Sequence, residues 1–141
     1  MADRHGPIRG GRFKVTIDDV EVPGWHSVSV PASSTKRAAE SDEDAWGQTT
    51  YQDLEMERGV QPGDTRIHDW REEIVDGNEQ DGLKTVVVTL MDEEGADQIE
   101  WTFEDAWITY HEPPQLDASS DGVVTERISL AYESMERTFT A

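Results

Sequence analysis

The residues best placed for chemistry are His68 and Glu72. On a helix they lie one turn apart on a single face, with Asp69 and Glu73 beside them, and a pair at that spacing can hold a divalent metal. A zinc hydrolase of the H-E-x-x-H type needs a second histidine there, and the chain supplies Glu72 instead. The other histidines, His5, His26 and His111, follow no ligand spacing. A solvated i, i+4 pair on an acidic helix face accounts for His68 and Glu72. Asp92 to Glu100 sets oxygen ligands around Gly95 but lacks the spacing of a calcium loop, so a hairpin turn explains it. Ser119-Ser120-Asp121 has no G-x-S-x-G elbow and no partner histidine. There is no phosphate-binding glycine loop and no cysteine, hence no thiolate nucleophile and no disulfide. With 31 acids, no particular pair of carboxylates can be singled out for glycoside hydrolysis. The expectation is a protein with no catalytic, cofactor or metal site.

The charge is more informative. Among 141 residues, 31 Asp and Glu face 12 Lys and Arg, giving a formal charge of −19 and a mean hydropathy of −0.72. A nucleic-acid binder needs bases to displace phosphate counterions, and an anionic membrane would repel this chain. Five Trp, three Tyr and three Phe make a packed core attainable, so the acidity is not that of a disordered tail. Only three bases are lysine (Lys14, Lys36 and Lys84). Lysine depletion with abundant Asp and Glu fits a halophilic source, because at molar salt the Debye length falls to about 3 Å and neighbouring carboxylates hardly interact. The N-terminus shows no apolar signal region and no run approaches a membrane span, so synthesis as a soluble cytoplasmic chain is expected.

These residues must be carried mainly by strands. Phe13, Val15 and Ile17 alternate with polar neighbours, and Trp25 to Val30 alternates after Pro23-Gly24; the two runs read as a hairpin. Pro31 to Gln48 has no period and reads as a long loop. Thr49 to Val60 alternates again, Leu54 and Met56 against Asp53, Glu55 and Glu57. Asp64 caps a predicted helix over Thr65 to Asp76, whose Ile67, Trp70 and Ile74 form an apolar stripe, with Gly77 at its C-terminal end. Strands over Leu83 to Met91 and Ala96 to Tyr110 flank the turn Asp92 to Gly95, with a kink at Glu104-Asp105-Ala106. A polar loop from Pro113 to Gly122 precedes the last strand, Val123 to Glu133. Six or seven strands and one helix predict a mainly β (α+β) domain, a sandwich or barrel with one flanking helix. Trp70, Trp101 and Phe103 read as core, whereas Trp25, Trp46 and Trp107 lie at strand ends or in the long loop.

The order of these segments resembles the tail tube proteins of the phage T4-like family, which includes the inner tubes of contractile injection systems. Arg12-Phe13 to Val28 is similar to the family's opening "RF.V.I.G..V.GF..VSGL", and Tyr51 to Val60 to its "YGNLTLKRG" strand. Ile67 to Trp70 with Ile74 to Gly77 resembles "LWDW...I.DG"; Leu90 to Gly95 resembles "LLDEEG"; Trp101 to Trp107 resembles "W.F.NAW". Pro114, Leu116, Ala118, Ser119 and the strand Glu126 to Glu133 resemble the family's ending. The resemblance runs from Arg12 to Met135, six motifs in order. It departs where the family has "SGL" and this chain has Ser29-Val30-Pro31, and in the loop Ser33 to Gln48.

The resemblance implies two packed antiparallel sheets with one helix, assembled as homo-hexameric rings that stack into a hollow tube. A contractile sheath surrounds the tube, with baseplate and cap proteins at its ends and protein or DNA cargo in its lumen. Residues 1–141 then form one tail-tube domain, with 1–11 a flexible N-terminal arm and 31–48 a long inter-subunit loop. Asp53, Glu55 and Glu57 are expected to face the lumen, and Lys36, Arg37, Trp46 and Trp25 to contact neighbouring subunits or rings. The finished product is a phage tail or an extracellular injection particle. The alternative is a soluble acidic β-barrel that binds a ligand or a basic protein.

Overall fold

The computed structural model describes residues 11–37, 46–119 and 122–140. Strand β1 (Phe13–Ile17) buries Val15 and Ile17, as its alternation requires. Asp18 and Asp19 then both take positive φ (49° and 67°), a two-residue turn that fixes β2 (Val20–Val22) as the partner of β1. This corrects the predicted hairpin. Gly24, at φ +93°, follows Pro23 and redirects the chain, so β3 (Trp25–Ser29) pairs instead with β6 (Leu54–Gly59).

The expected loop Pro31 to Gln48 is corrected as well. Its described parts form β4 (Ser33–Arg37) and β5 (Trp46–Tyr51), a two-stranded ribbon separate from both main sheets; residues 38–45 lie outside the described residues. Every residue of β4 is exposed, and the ribbon is held by its own ladder and by hydroxyl pairs, Ser34 with Thr50 at 3.2 Å and Thr35 with Thr49. Gly47 lies close against β4: a Cβ there would come within 2.8 Å of the Lys36 carbonyl oxygen.

The helix α1 (Arg66–Val75) buries Ile67 and Trp70. Gly77, at φ +82°, closes it with a Schellman pair, its N–H donating to the Ile74 carbonyl and that of Asn78 to Glu73. A second helical turn, α2 (Glu79–Gly82), follows where a single helix was expected. It is anchored by the Trp70 indole, whose Nε1 donates to the Gly82 carbonyl at 2.8 Å.

Strand β7 (Lys84–Met91) leads through the turn at Asp92 to Gly95 into β8 (Asp97–Glu112). The predicted kink is present: Asp105 has φ 50° and the β7–β8 register slips there. Beyond it β8 changes sheets. Its first half lies in sheet A, ordered β10-β8-β7-β1-β2, and its second half in sheet B, ordered β8-β9-β6-β3. Strand β9 is Thr125–Ala131, and β10 (Ser134–Phe139), a strand the sequence pattern did not suggest, pairs with the first half of β8. All pairings are antiparallel.

The core lies between the sheets and under α1: Val15, Ile17, Val22, Val86, Val88 and Phe103 from sheet A, Leu54, Met56, Ile108, Ile128 and Leu130 from sheet B, with Ile67 and Trp70 from the helix. Trp101 is half-buried rather than central. Phe103 is fully buried and meets Tyr132 edge-on at a centroid separation of 5.0 Å, and the Tyr132 hydroxyl donates to the Gln52 carbonyl. Phe103→Ala is expected to cost about 3–5 kcal/mol, measured as a lower denaturation midpoint in high salt.

Candidate functional site

Sheet B presents two chemically opposite faces. Across its inner face, Leu54, Leu130 and Ile108 stand in register, followed by Met56, Ile128 and His111, and then by Arg58 and Glu126. Its outer face carries Ser27 and Ser29 from β3, Glu55 and Glu57 from β6, Arg127 and Ser129 from β9, and Tyr110 and Glu112 from β8. The expected alternation therefore holds: Asp53 and Glu55 are exposed and Glu57 is half-buried, while Leu54 and Met56 are buried. The face is not uniformly acidic. Arg127 Nη2 lies 3.6 Å from Glu57, and Thr109 donates to Asp53 at 3.4 Å. Exposed pairs of this kind add little stability and are screened by salt. Tyr110 donates to Glu112 at 3.0 Å, a bond that raises the phenol's pKa.

At the end of the inner face sits a buried charge network that the sequence reading missed. Arg58 is only 1 % exposed. Its Nε donates to Glu126 at 3.1 Å, and its Nη1 donates to Asp64 at 3.1 Å and to the Pro23 carbonyl at 3.4 Å. The guanidinium lies 5.6 Å from the centre of the Trp25 ring, and the other Glu126 oxygen is 3.0 Å from His111 Nε2. Asp64 joins this network to the helix start, its Oδ1 accepting the Arg66 backbone N–H at 3.1 Å, so it caps α1 while its other oxygen holds Arg58. Burial pushes the Asp64 carboxyl up, but the Arg66 N–H and the Arg58 and Arg66 charges together outweigh this and hold it below its ordinary value. The signal was available in the sequence. Arg58 is in phase with Leu54 and Met56, and Glu126 with Ile128 and Leu130, so the alternation points both charges inward.

The residues predicted to contact neighbours fall on two separate elements. Lys36 and Arg37 sit exposed on the ribbon, with Arg37 paired in register to Trp46, whose side chain lies outside the described residues. Trp25 is half-buried against Arg58, and its buried Nε1 has no hydrogen-bond acceptor among the described residues. It packs against the network while part of the residue stays accessible. His68 and Glu72 are both exposed at 3.7 Å, and among the described residues no group of three or more His, Asp or Glu side chains could hold a metal. The Asp92 carboxylate is spent on its own turn, accepting the N–H groups of Glu94 and Ala96 and the Gln98 amide. Ser119 is turned onto Asp117, while Ser120 and Asp121, like His5, lie outside the described residues. Among the described residues no helix is long and apolar enough to cross a membrane.

The architecture is a mainly antiparallel two-sheet domain with one polar outer face and a separate two-stranded ribbon. The chain belongs to the T4-like virus tail tube protein gp19 family, whose model matches residues 9–136. Its fold is similar to that of a chain from the sheath–tube complex of an extracellular contractile injection system in its extended state (PVC), with a TM-score of 0.76 and 23% identity over 96% of this chain and 94% of that one. A chain of the anti-feeding prophage tube-terminating cap is similar with a TM-score of 0.77 and 22% identity, over 99% of this chain and 96% of that one. Hcp1 from Flavobacterium johnsoniae is similar with a TM-score of 0.64 and 16% identity, over 91% and 98%. No curated protein matches the chain.

Arg58→Leu strands Glu126 and Asp64 in a largely dry site, and is expected to cost about 3–5 kcal/mol, measured by urea denaturation in high salt. The lowered pKa of Asp64 has a definite sign. Its contribution is complete above the unfolded carboxyl value of about 4 and disappears as pH falls through the lower folded value. Asp64→Asn should remove that part of the acid sensitivity, checked by comparing stability from pH 6 down to about pH 2.

Proposed function

We propose that the chain is the repeating subunit of an inner tube: six copies close a ring, rings stack into a hollow conduit, and a contractile sheath drives that conduit through a target envelope. The observation that carries this reading is the pairing of two features on one subunit. The four-stranded outer face of sheet B is polar and open, and the described residues of the β4–β5 ribbon form a sheet of their own, with β4 exposed along its length. A wall around a water-filled lumen needs the first, with core residues behind it and Asp53, Glu55, Glu57 and Glu112 toward the channel. The second is explained if another copy supplies the missing packing, since an isolated two-stranded hairpin is marginal in water.

On this reading the sheath lies outside the tube, baseplate and cap proteins close its ends, and protein or DNA passes through. A lumen bearing carboxylates repels acidic cargo enough for it to slide. The subunit performs no catalysis and holds no cofactor. It is made in the cytoplasm and matures in a phage tail or an extracellular particle, in a source adapted to high salt. Membership of a tail tube protein family and the likeness in fold to chains of injection particles both support the tube reading.

The charge sets a condition on assembly. Each copy brings −19 to a ring of six, and rings must then stack. In dilute buffer such a layer repels itself; at about 1 M salt the Debye length of about 3 Å removes the long-range part. Negative-stain microscopy of the purified protein is expected to show rings or tubes in molar salt that loosen on dialysis to low salt. Particles equally stable in dilute buffer would remove the salt-adaptation reading, and monomers at every salt concentration would remove the tube.

A further inference from the structure

The core-facing side of sheet A runs on past the core. Ile17, Val86, Phe103 and Met135 cross it in register, then Val15, Val88, Trp101 and Arg137. A further row, Phe13, Leu90, Ile99 and Phe139, takes one residue from each of β1, β7, β8 and β10 and is apolar throughout. Strand alternation puts all three rows on one face. Val15, Val86, Val88 and Phe103 are buried, but burial falls away toward the third row. Leu90 and Ile99 are half-buried outside the core, and Phe139 is 64% exposed, with the Arg137 guanidinium 5.1 Å from its ring centre. An apolar row across four strands is out of keeping with a chain whose mean hydropathy is −0.72.

The chain enters sheet A at this row. Gly11 stands two residues before Phe13, and residues 1–10 precede it, outside the described residues. The entry is held in place. The Arg12 carbonyl accepts the Met91 N–H at 2.9 Å, and the Arg12 guanidinium lies against the β7–β8 turn, where a Cβ on Gly95 would be 3.6 Å from its Nη1. At about 4.8 Å between strands the row is about 14 Å long, a span that about five extended residues cover. Gly10 and Gly11 allow the chain to reverse, because glycine accepts either sign of φ. Pro7 and Ile8 follow within that reach. Charge agrees with this. Residues 1–10 hold two bases, Arg4 and Arg9, and one acid, Asp3, whereas acids outnumber bases 31 to 12 overall. The turn beside the row carries Glu93 and Glu94.

We propose that residues 1–10 fold back across the core-facing side of sheet A, seating Pro7 and Ile8 on the row Phe13, Leu90, Ile99 and Phe139 and setting Arg9 against the acidic turn. This segment is the occupant because it is tethered two residues from the row, is long enough to cross it, carries an apolar pair to cover it, and is basic where its surroundings are acidic. Tethering makes the contact intramolecular, so a small apolar area suffices where a free peptide of the same sequence would not hold. The strap does not depend on the tube reading.

The absence of cysteine makes the test clean. The double variant Gly6→Cys/Arg137→Cys leaves the row, Pro7 and Ile8 intact, and is oxidised at high dilution in molar salt. The control is Gly6→Cys/Leu116→Cys: Leu116 is 84% exposed and lies beyond the opposite end of β8 from Ile99. Mass spectrometry is expected to show an intrachain disulfide between positions 6 and 137, formed several-fold faster than that between 6 and 116. Adding Ile8→Asp to the first variant should bring its rate down to that of the control. Equal rates in the two double variants, or no effect of Ile8→Asp, would overturn the strap. A 6–137 disulfide found only between chains assigns the row to another copy and overturns it as well. None of these outcomes bears on whether the protein forms tubes.

Discussion

A 16-residue strand that belongs to two sheets must break its own register somewhere, and in this chain the break falls at Asp105. The left-handed backbone there inserts an extra residue opposite β7, turns the strand, and lets Ala106 and Ile108 enter the core on the far side. Both sheets are thereby tied to one covalent rod. The first half of β8 is clasped by β7 and β10, the second half by β9, and β9 in turn positions β6 and β3. The angle at Asp105 therefore sets how the open polar face of sheet B is presented relative to the rest of the domain.

The buried network around Arg58 gives the open end of that arrangement its definition. An apolar core would fill the same space without fixing a particular geometry, whereas a guanidinium held by Glu126, Asp64 and the Pro23 carbonyl admits few alternatives. It connects β6, β9, the start of α1 and the turn before β3. Such groups are costly to bury, and any one of them left without its partners is more costly still. The network is thus a registry device at the point where sheet B meets the helix.

Much of this was legible in the sequence, and the exceptions share a cause. Period-two alternation arises when one face of a strand is buried, so β1, β6 and β9 announced themselves, and the turns at Gly77 and Gly95 were marked by residue type. The described residues of the β4–β5 ribbon are nearly all exposed, and a strand with no inside has no period to read. β10, largely exposed, was silent for the same reason. Partner choice was lost at Asp18-Asp19, where two acidic residues adopt the conformation usually left to Asn-Gly and send β1 to β2. Arg58 and Glu126 were passed over because their charge suggested solvent, although their phase placed them inside.

The ribbon's independence has a kinetic consequence. A two-stranded element with no packed face gains most of its order at the moment it is covered, so whatever covers the ribbon must order it in the same step. If the tube reading of the chain holds and another copy does the covering, subunits already in a polymer have met that cost, and a newcomer meets only its own. Formation of a first layer is then the slow event and elongation the fast one, which favours a few long filaments over many short ones and lets whatever nucleates the first layer decide where they grow.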